Sequence, residues 1–126
     1  MPIFSPKHYI VDEQMTHAAW MMRGAGVPEN TVVDDLTSAV DICPTLCALL
    51  GIPVDAPVDG ILPRVFGGAG REIAYSNSIF PRKEYFLAAR GRDYTLCLET
   101  PNVASVSGTI DLQYAKAEIY PRAHEK

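Results

Sequence analysis

Between Ile42 and Leu50 the chain carries a single polar side chain, Thr45, and the segment is punctuated at both ends. Pro44 falls within the first turn of a helix begun at Ile42, where its missing N–H costs little. Asp41 is placed to cap the N-terminus. The Thr45 hydroxyl can bond back to the Asp41 carbonyl. Gly51 supplies the left-handed residue that ends the helix, and Ile52 can fold back on the last turn. A helix apolar all round is expected to be covered on every side. Something must therefore pack around Ile42 to Leu50.

Ala18-Ala19-Trp20-Met21-Met22 is a continuous apolar run of strand length. A half-buried strand alternates, whereas a strand covered on both faces does not. Gly24, Gly26 and Pro28 then turn the chain. Thr16 to Gly51 thus reads as a buried strand, a turn, a crossing segment over Thr31 to Leu36, a second short strand over Thr37 to Val40, and the apolar helix. Ile10 to Met15 reads as a short helix before them.

The 126 residues amount to about one domain. Eleven basic against 15 acidic residues leave a net charge of −4, without the basic stripe of a nucleic-acid surface. No apolar run reaches the roughly 18 residues of a membrane helix. Met1-Pro2-Ile3-Phe4 lacks the charged start of a signal peptide, so a cytoplasmic location is the default expectation. Three cysteines, an odd number, do not form a disulfide framework. Ten prolines and 9 glycines favour many short elements over a bundle.

Pro53, Pro57, Gly60, Pro63, Gly67, Gly68 and Gly70 make the stretch after the helix a long loop. A subdomain boundary is expected at its end, dividing the chain into residues 1–67 and 68–126. Beyond it, Glu72 to Ser78, Glu84 to Arg90 and Asp93 to Glu99 are β-rich. Gly91-Arg92 is a hairpin turn candidate. Val103 to Leu112 is expected as a fourth strand, and Ala117 to Tyr120 as a last extended piece. The spacing implies an antiparallel meander.

Several clusters carry possible chemistry. Lys7, His8 and His17 could hold a tetrahedral anion, the lysine as a point charge and the histidines as donors; the alternative is an ordinary solvated surface. Cys43 and Cys47 share a helix face at i, i+4. They are either a metal or redox pair or, as expected of small cysteines on a covered helix, buried core residues. Asp34, Asp35 and Asp41 could ligate a metal, or serve as a solvated pair and a helix cap. Gly24-Ala25-Gly26 is half of a phosphate loop with nothing to complete it.

Three blocks in order resemble the C-terminal part of the catalytic core of type I sulfatases, in the alkaline phosphatase superfamily. They are His17 to Gly26; Asp41-Ile42-Cys43-Pro44-Thr45-Leu46; and Asp59-Gly60-Ile61-Leu62-Pro63 with Gly67. The family counterparts run roughly R/H-V-P-L-I-I-x-x-P-G, D-L-x-P-T-L-L-x-L-x-G and D-G-x-S-L-x-P-L-L-x-G. Lys7-His8 is similar to the family's lysine block, whose lysine touches the substrate sulfate. Tyr75-Ser76, Arg92-Asp93-Tyr94 and Glu118-Ile119-Tyr120 are similar to its C-terminal subdomain. The resemblance implies an α/β fold: the end of an alkaline-phosphatase-like core, with short parallel strands and a buried helix, then an antiparallel four-stranded sheet closed by a helix.

The departures are chemical. The family's C/S-x-P-x-R nucleophile motif is absent: Cys43-Pro44-Thr45 has neither its spacing nor its arginine. The D-D/N-H-G metal block, which would lie just before Met1, is also absent, and Ala19 replaces a proline of the first block. The resemblance therefore implies a C-terminal fragment with no catalytic residue and no metal site. Lys7, His8 and His17 would be its substrate contacts. Calcium would be bound elsewhere in a full-length relative, and the substrate would be a sulfate ester or, within the same superfamily, a phosphate or phosphonate ester. The other expectation is a non-catalytic accessory or binding module of the same ancestry. Either way the apolar strand and helix predict self-association or contact with the missing part of the enzyme.

Overall fold

A computed structural model describes residues 16–79, 85–100, 103–104, 109–110 and 115–122. The chain separates into two compact units, Trp20–Ala74 and a second that takes the chain from Tyr75 onward together with residues 16–19.

In the first unit a 3-10 turn, Ala39–Asp41, runs directly into helix α1, Ile42–Leu50. The helix ends as its sequence dictates. Gly51 is left-handed at φ 66°, its N–H bonds the Ala48 carbonyl, and the Ile52 N–H reaches the Cys47 carbonyl at 2.9 Å. This pair of bonds satisfies two of the orphan carbonyls that every helix end leaves. Thr45 is fully buried and its hydroxyl donates to the Asp41 carbonyl at 2.6 Å.

The start of the helix differs from expectation. Asp41 is itself helical, and its side chain caps nothing in α1. The carboxylate instead reaches back to the Ser38 N–H at 2.8 Å and across to Arg71. A partner 30 residues away has displaced the local capping role. Two further expectations fail in this unit. The run 18–22 is irregular rather than a strand, and 37–40 holds the start of a 3-10 turn rather than a strand. Helix α1 is also not covered on every side: only Pro44 and Thr45 are buried, while Leu46 is exposed and Leu50 is 70% exposed. The expected helix Ile10 to Met15 lies outside the described residues.

The loop after α1 is fixed by backbone contacts. A second 3-10 turn, Arg64–Phe66, ends at Gly67, and the N–H groups of Gly68 and Gly70 bond the carbonyls of Pro63 and Leu62. Leu36 and Arg71 form an isolated antiparallel bridge. Gly60 lies so close to the 3-10 turn that a Cβ there would stand 2.1 Å from the Val40 carbonyl oxygen and 2.8 Å from Pro44 Cγ.

The second unit holds an open four-stranded antiparallel sheet in the order β1-β2-β3-β6: β1 Ala74–Ile79, β2 Tyr85–Arg90, β3 Tyr94–Thr100 and β6 Lys116–Pro121. The three expected strands match β1 to β3 within two residues, a shift within the usual fraying of element ends. The hairpin turn sits one residue later than expected. Gly91 N–H bonds the Tyr94 carbonyl at 2.9 Å, leaving Arg92 and Asp93 at the tip. Between β3 and β6 the chain forms a separate two-stranded ribbon, β4 Val103–Ala104 paired with β5 Thr109–Ile110. The fourth sheet strand is therefore β6, not Val103 to Leu112, and the simple meander is corrected to a three-stranded one with a ribbon inserted before the last strand.

Period-two alternation sorts the sheet faces. Phe86 and Ala88 of β2 are buried, with Cys97 packed against them; Ala88 and Cys97 are in register. Buried Arg90, on the same face, donates to Ser76 Oγ at 3.0 Å. The other face carries the rows Leu87–Leu98–Ala117 and Ala89–Leu96–Ile119. Ile119 there is 67% exposed. After β6, Arg122 donates its backbone N–H to Asp93 and its guanidinium to the Gly91 carbonyl, fastening the strand end to the hairpin tip.

Replacing Gly60 by Ala should destabilise the first unit by about 1–3 kcal/mol, because the added methyl meets a backbone carbonyl that cannot rotate away. Chemical denaturation of the variant against the parent measures this; an unchanged midpoint contradicts the packing described.

Candidate functional site

The densest polar constellation among the described residues is centred on Asp41, which is 1% exposed. Its Oδ2 accepts from the Ser38 N–H and from Arg71 Nε at 2.8 and 2.9 Å. Its Oδ1 accepts from the Ile61 N–H and from Arg71 Nη2 at 2.7 and 2.5 Å. Arg71 Nη2 also donates to the Asp59 carbonyl at 3.1 Å. Burial pushes the Asp41 carboxyl up, but the Arg71 guanidinium and the Ile61 and Ser38 N–H groups outweigh it and hold the group below its ordinary value.

This arrangement decides what Asp41 can do. A carboxylate has about four acceptor sites, and all four are engaged by protein donors. None is left for a metal ion or for the proton of a substrate. The constellation is a structural clasp that ties the start of α1 to the 59–61 loop and to Arg71. Sequence reasoning missed Arg71. Its only local signal was an arginine just beyond a glycine-rich stretch, and the pairing is non-local.

The other acidic candidates separate. Asp34 is exposed, while Asp35 pairs with Arg64 at 3.1 Å on the surface. With Asp41 spent on Arg71, the three do not converge as ligands. Among the described residues no three His, Cys, Asp or Glu side chains gather as they would around a metal ion. Gly24 and Gly26 both have positive φ and make a turn, with the Val27 N–H bonded to the Gly24 carbonyl at 3.2 Å. That turn packs beside Leu49 of α1, since a Cβ on Gly26 would lie 3.2 Å from the Leu49 methyl.

Of the residues expected to hold an anion, Lys7 and His8 lie outside the described residues. His17 is exposed on an irregular stretch. Cys43 and Cys47 are free thiols, and they are not buried as expected: Cys43 is exposed and Cys47 half-buried. The correction has the same cause as the exposure of Leu46 and Leu50, since this side of α1 has no covering element. Desolvation, and after it the neighbouring Cys43, push the Cys47 thiol up from its ordinary value.

The Asp41 clasp sets a measurable acid limit. An aspartate held below its unfolded value of about 3.9 contributes stability that is present above that pH and is lost as pH falls below it toward the depressed native value. Asp41→Asn should remove this acid-dependent component and take from Arg71 the carboxylate on which it forks, at a cost of about 3–5 kcal/mol near neutral pH. Urea unfolding of parent and variant between pH 7 and pH 3 reads both effects; parallel pH profiles would refute the ion pair as described.

Comparison with known protein families, with curated proteins and with solved structures found no match.

Proposed function

We propose that this chain is the C-terminal part of a sulfatase-like hydrolase, carrying the end of an alkaline-phosphatase-like core and its antiparallel sheet subdomain. One observation carries the reading. The two most specific blocks of the resemblance, opening at Asp41 and at Asp59-Gly60, meet at one point. Arg71 bonds both the Asp41 carboxylate and the Asp59 carbonyl, and Gly60 packs against Val40 and Pro44. Motif residues that hold each other in place give those positions a physical reason to be what they are. A four-stranded antiparallel sheet follows, in the order the resemblance implies.

In this reading the full enzyme cleaves a sulfate ester, or a phosphate or phosphonate ester in a relative of the same superfamily. Lys7, His8 and His17 are contacts to the substrate anion. Cleavage of such an ester needs a nucleophile and a divalent metal to neutralise the developing oxyanion, calcium in the full-length relative. The sequence carries neither the nucleophile motif nor the metal block, so the chain acts only together with the part that supplies them.

The uncovered apolar surface supports the same reading. Leu46, Leu50 and Ile42 on α1 and Met21 in the run 18–22 are exposed, Met21 at 89%. Burying a large apolar side chain is worth roughly 1.5–3 kcal/mol, so this surface is suited to meeting the remainder of the core. The isolated chain uses it to self-associate.

Two measurements test the proposal. The purified chain should turn over neither an aryl sulfate nor an aryl phosphate, with or without calcium; contaminant-free turnover sinks the fragment reading. Sedimentation equilibrium should show concentration-dependent association. A strict monomer that melts cooperatively and binds no hydrophobic dye would favour the rival reading, a self-sufficient accessory module.

A further inference from the structure

Cys43 and Cys47 lie one helical turn apart on α1, both as free thiols. Their side of the helix is open: Cys43 is exposed, Cys47 half-buried, and Ile42, Leu46 and Leu50 beside them are exposed. The two sulfurs sense one another, because Cys43 contributes to raising the Cys47 thiol.

Helix geometry limits what such a pair can do. Side chains at i, i+4 stand about 5–6 Å apart at Cβ. A disulfide needs a Cβ separation of about 3.5–4.5 Å, so direct S–S closure requires the helix to unwind locally. An ion inserted between the sulfurs removes the conflict, since two metal–sulfur bonds of roughly 2.3 Å each span the gap with the helix intact. The donor set then selects the ion. A structural zinc site takes four ligands, and no third His, Cys, Asp or Glu gathers with this pair among the described residues. Soft thiolates with no further ligand suit Cu(I), which accepts two-coordinate sulfur.

We propose that Cys43 and Cys47 form a two-sulfur site for a soft monovalent ion of the Cu(I) type, held on the open side of α1. Both thiols release their protons to solvent as the ion binds, and no electron is transferred. Neither thiol contributes to the Asp41 clasp, and the site belongs to the chain whose open side of α1 has not yet met a partner.

The test titrates the full chain, reduced and without oxygen, with Cu(I) in the presence of a chromogenic Cu(I) chelator. The expected result is withdrawal of one ion per chain, with two sulfur neighbours by X-ray absorption. Cys43→Ser and Cys47→Ser should each lose the ion, and Cys97→Ser should keep it, with the far-ultraviolet circular dichroism of each variant compared with the parent. A second readout needs no variant. Cu(I) should protect Cys43 and Cys47, but not Cys97, from iodoacetamide, as mapped by peptide mass. Failure of the parent to withdraw the ion, retention of it by either folded serine variant at α1, or protection that does not distinguish Cys97 would overturn the proposal.

Discussion

The first unit depends on one ion pair. Between Trp20 and Ala74 the buried residues are Asp41, Pro44, Thr45, Pro63 and Gly70, so no large aliphatic side chain is fully enclosed. The interior of this unit is organised around a charge rather than around oil. Burying a charge costs several kcal/mol unless geometry and hydrogen bonding compensate. Here the compensation is close to complete, with two donors on each carboxylate oxygen. The planar guanidinium matters, because Arg71 bonds both oxygens and still has a donor for the Asp59 carbonyl. A lysine at 71 would offer a point charge and could not reproduce that fork.

What the sequence revealed follows from range. The end of α1 was legible because Gly51, Thr45 and Ile52 act on neighbours within one turn. Strands β2 and β3 were legible because β-rich composition and a tight turn are local signals too. Asp41 was misread because two roles competed for one carboxylate, and the winning partner lies far along the chain. The run 18–22 was misread for a different reason. An apolar pattern reports that a segment is suited to burial, not that a burying surface is present. Cys43 and Cys47 shared that error. The place of β6 beside β3 could not be read from spacing, since the ribbon of β4 and β5 intervenes and carries strand signals of its own.

Both units leave apolar surface in water. On α1 the open side is aliphatic with two thiols at its margin. On the sheet, the face opposite Phe86 exposes the cross-strand pair Leu96 and Ile119, while Leu87 and Leu98 are half-buried and Tyr85 and Thr100 are buried. Isolated exposed apolar residues are ordinary, but a cluster such as the open side of α1 is characteristic of surfaces that meet something.

The clasp also governs motion on a scale that helices usually set. The amides of Ser38 and Ile61 lie outside regular helix and sheet, where exchange with solvent is ordinarily controlled by local fluctuation. Both donate to the same carboxylate. Withdrawing Asp41 from Arg71 would expose both amides together and free the 59–61 loop from the start of α1. Two loop amides far apart in sequence are therefore tied to one buried ion pair.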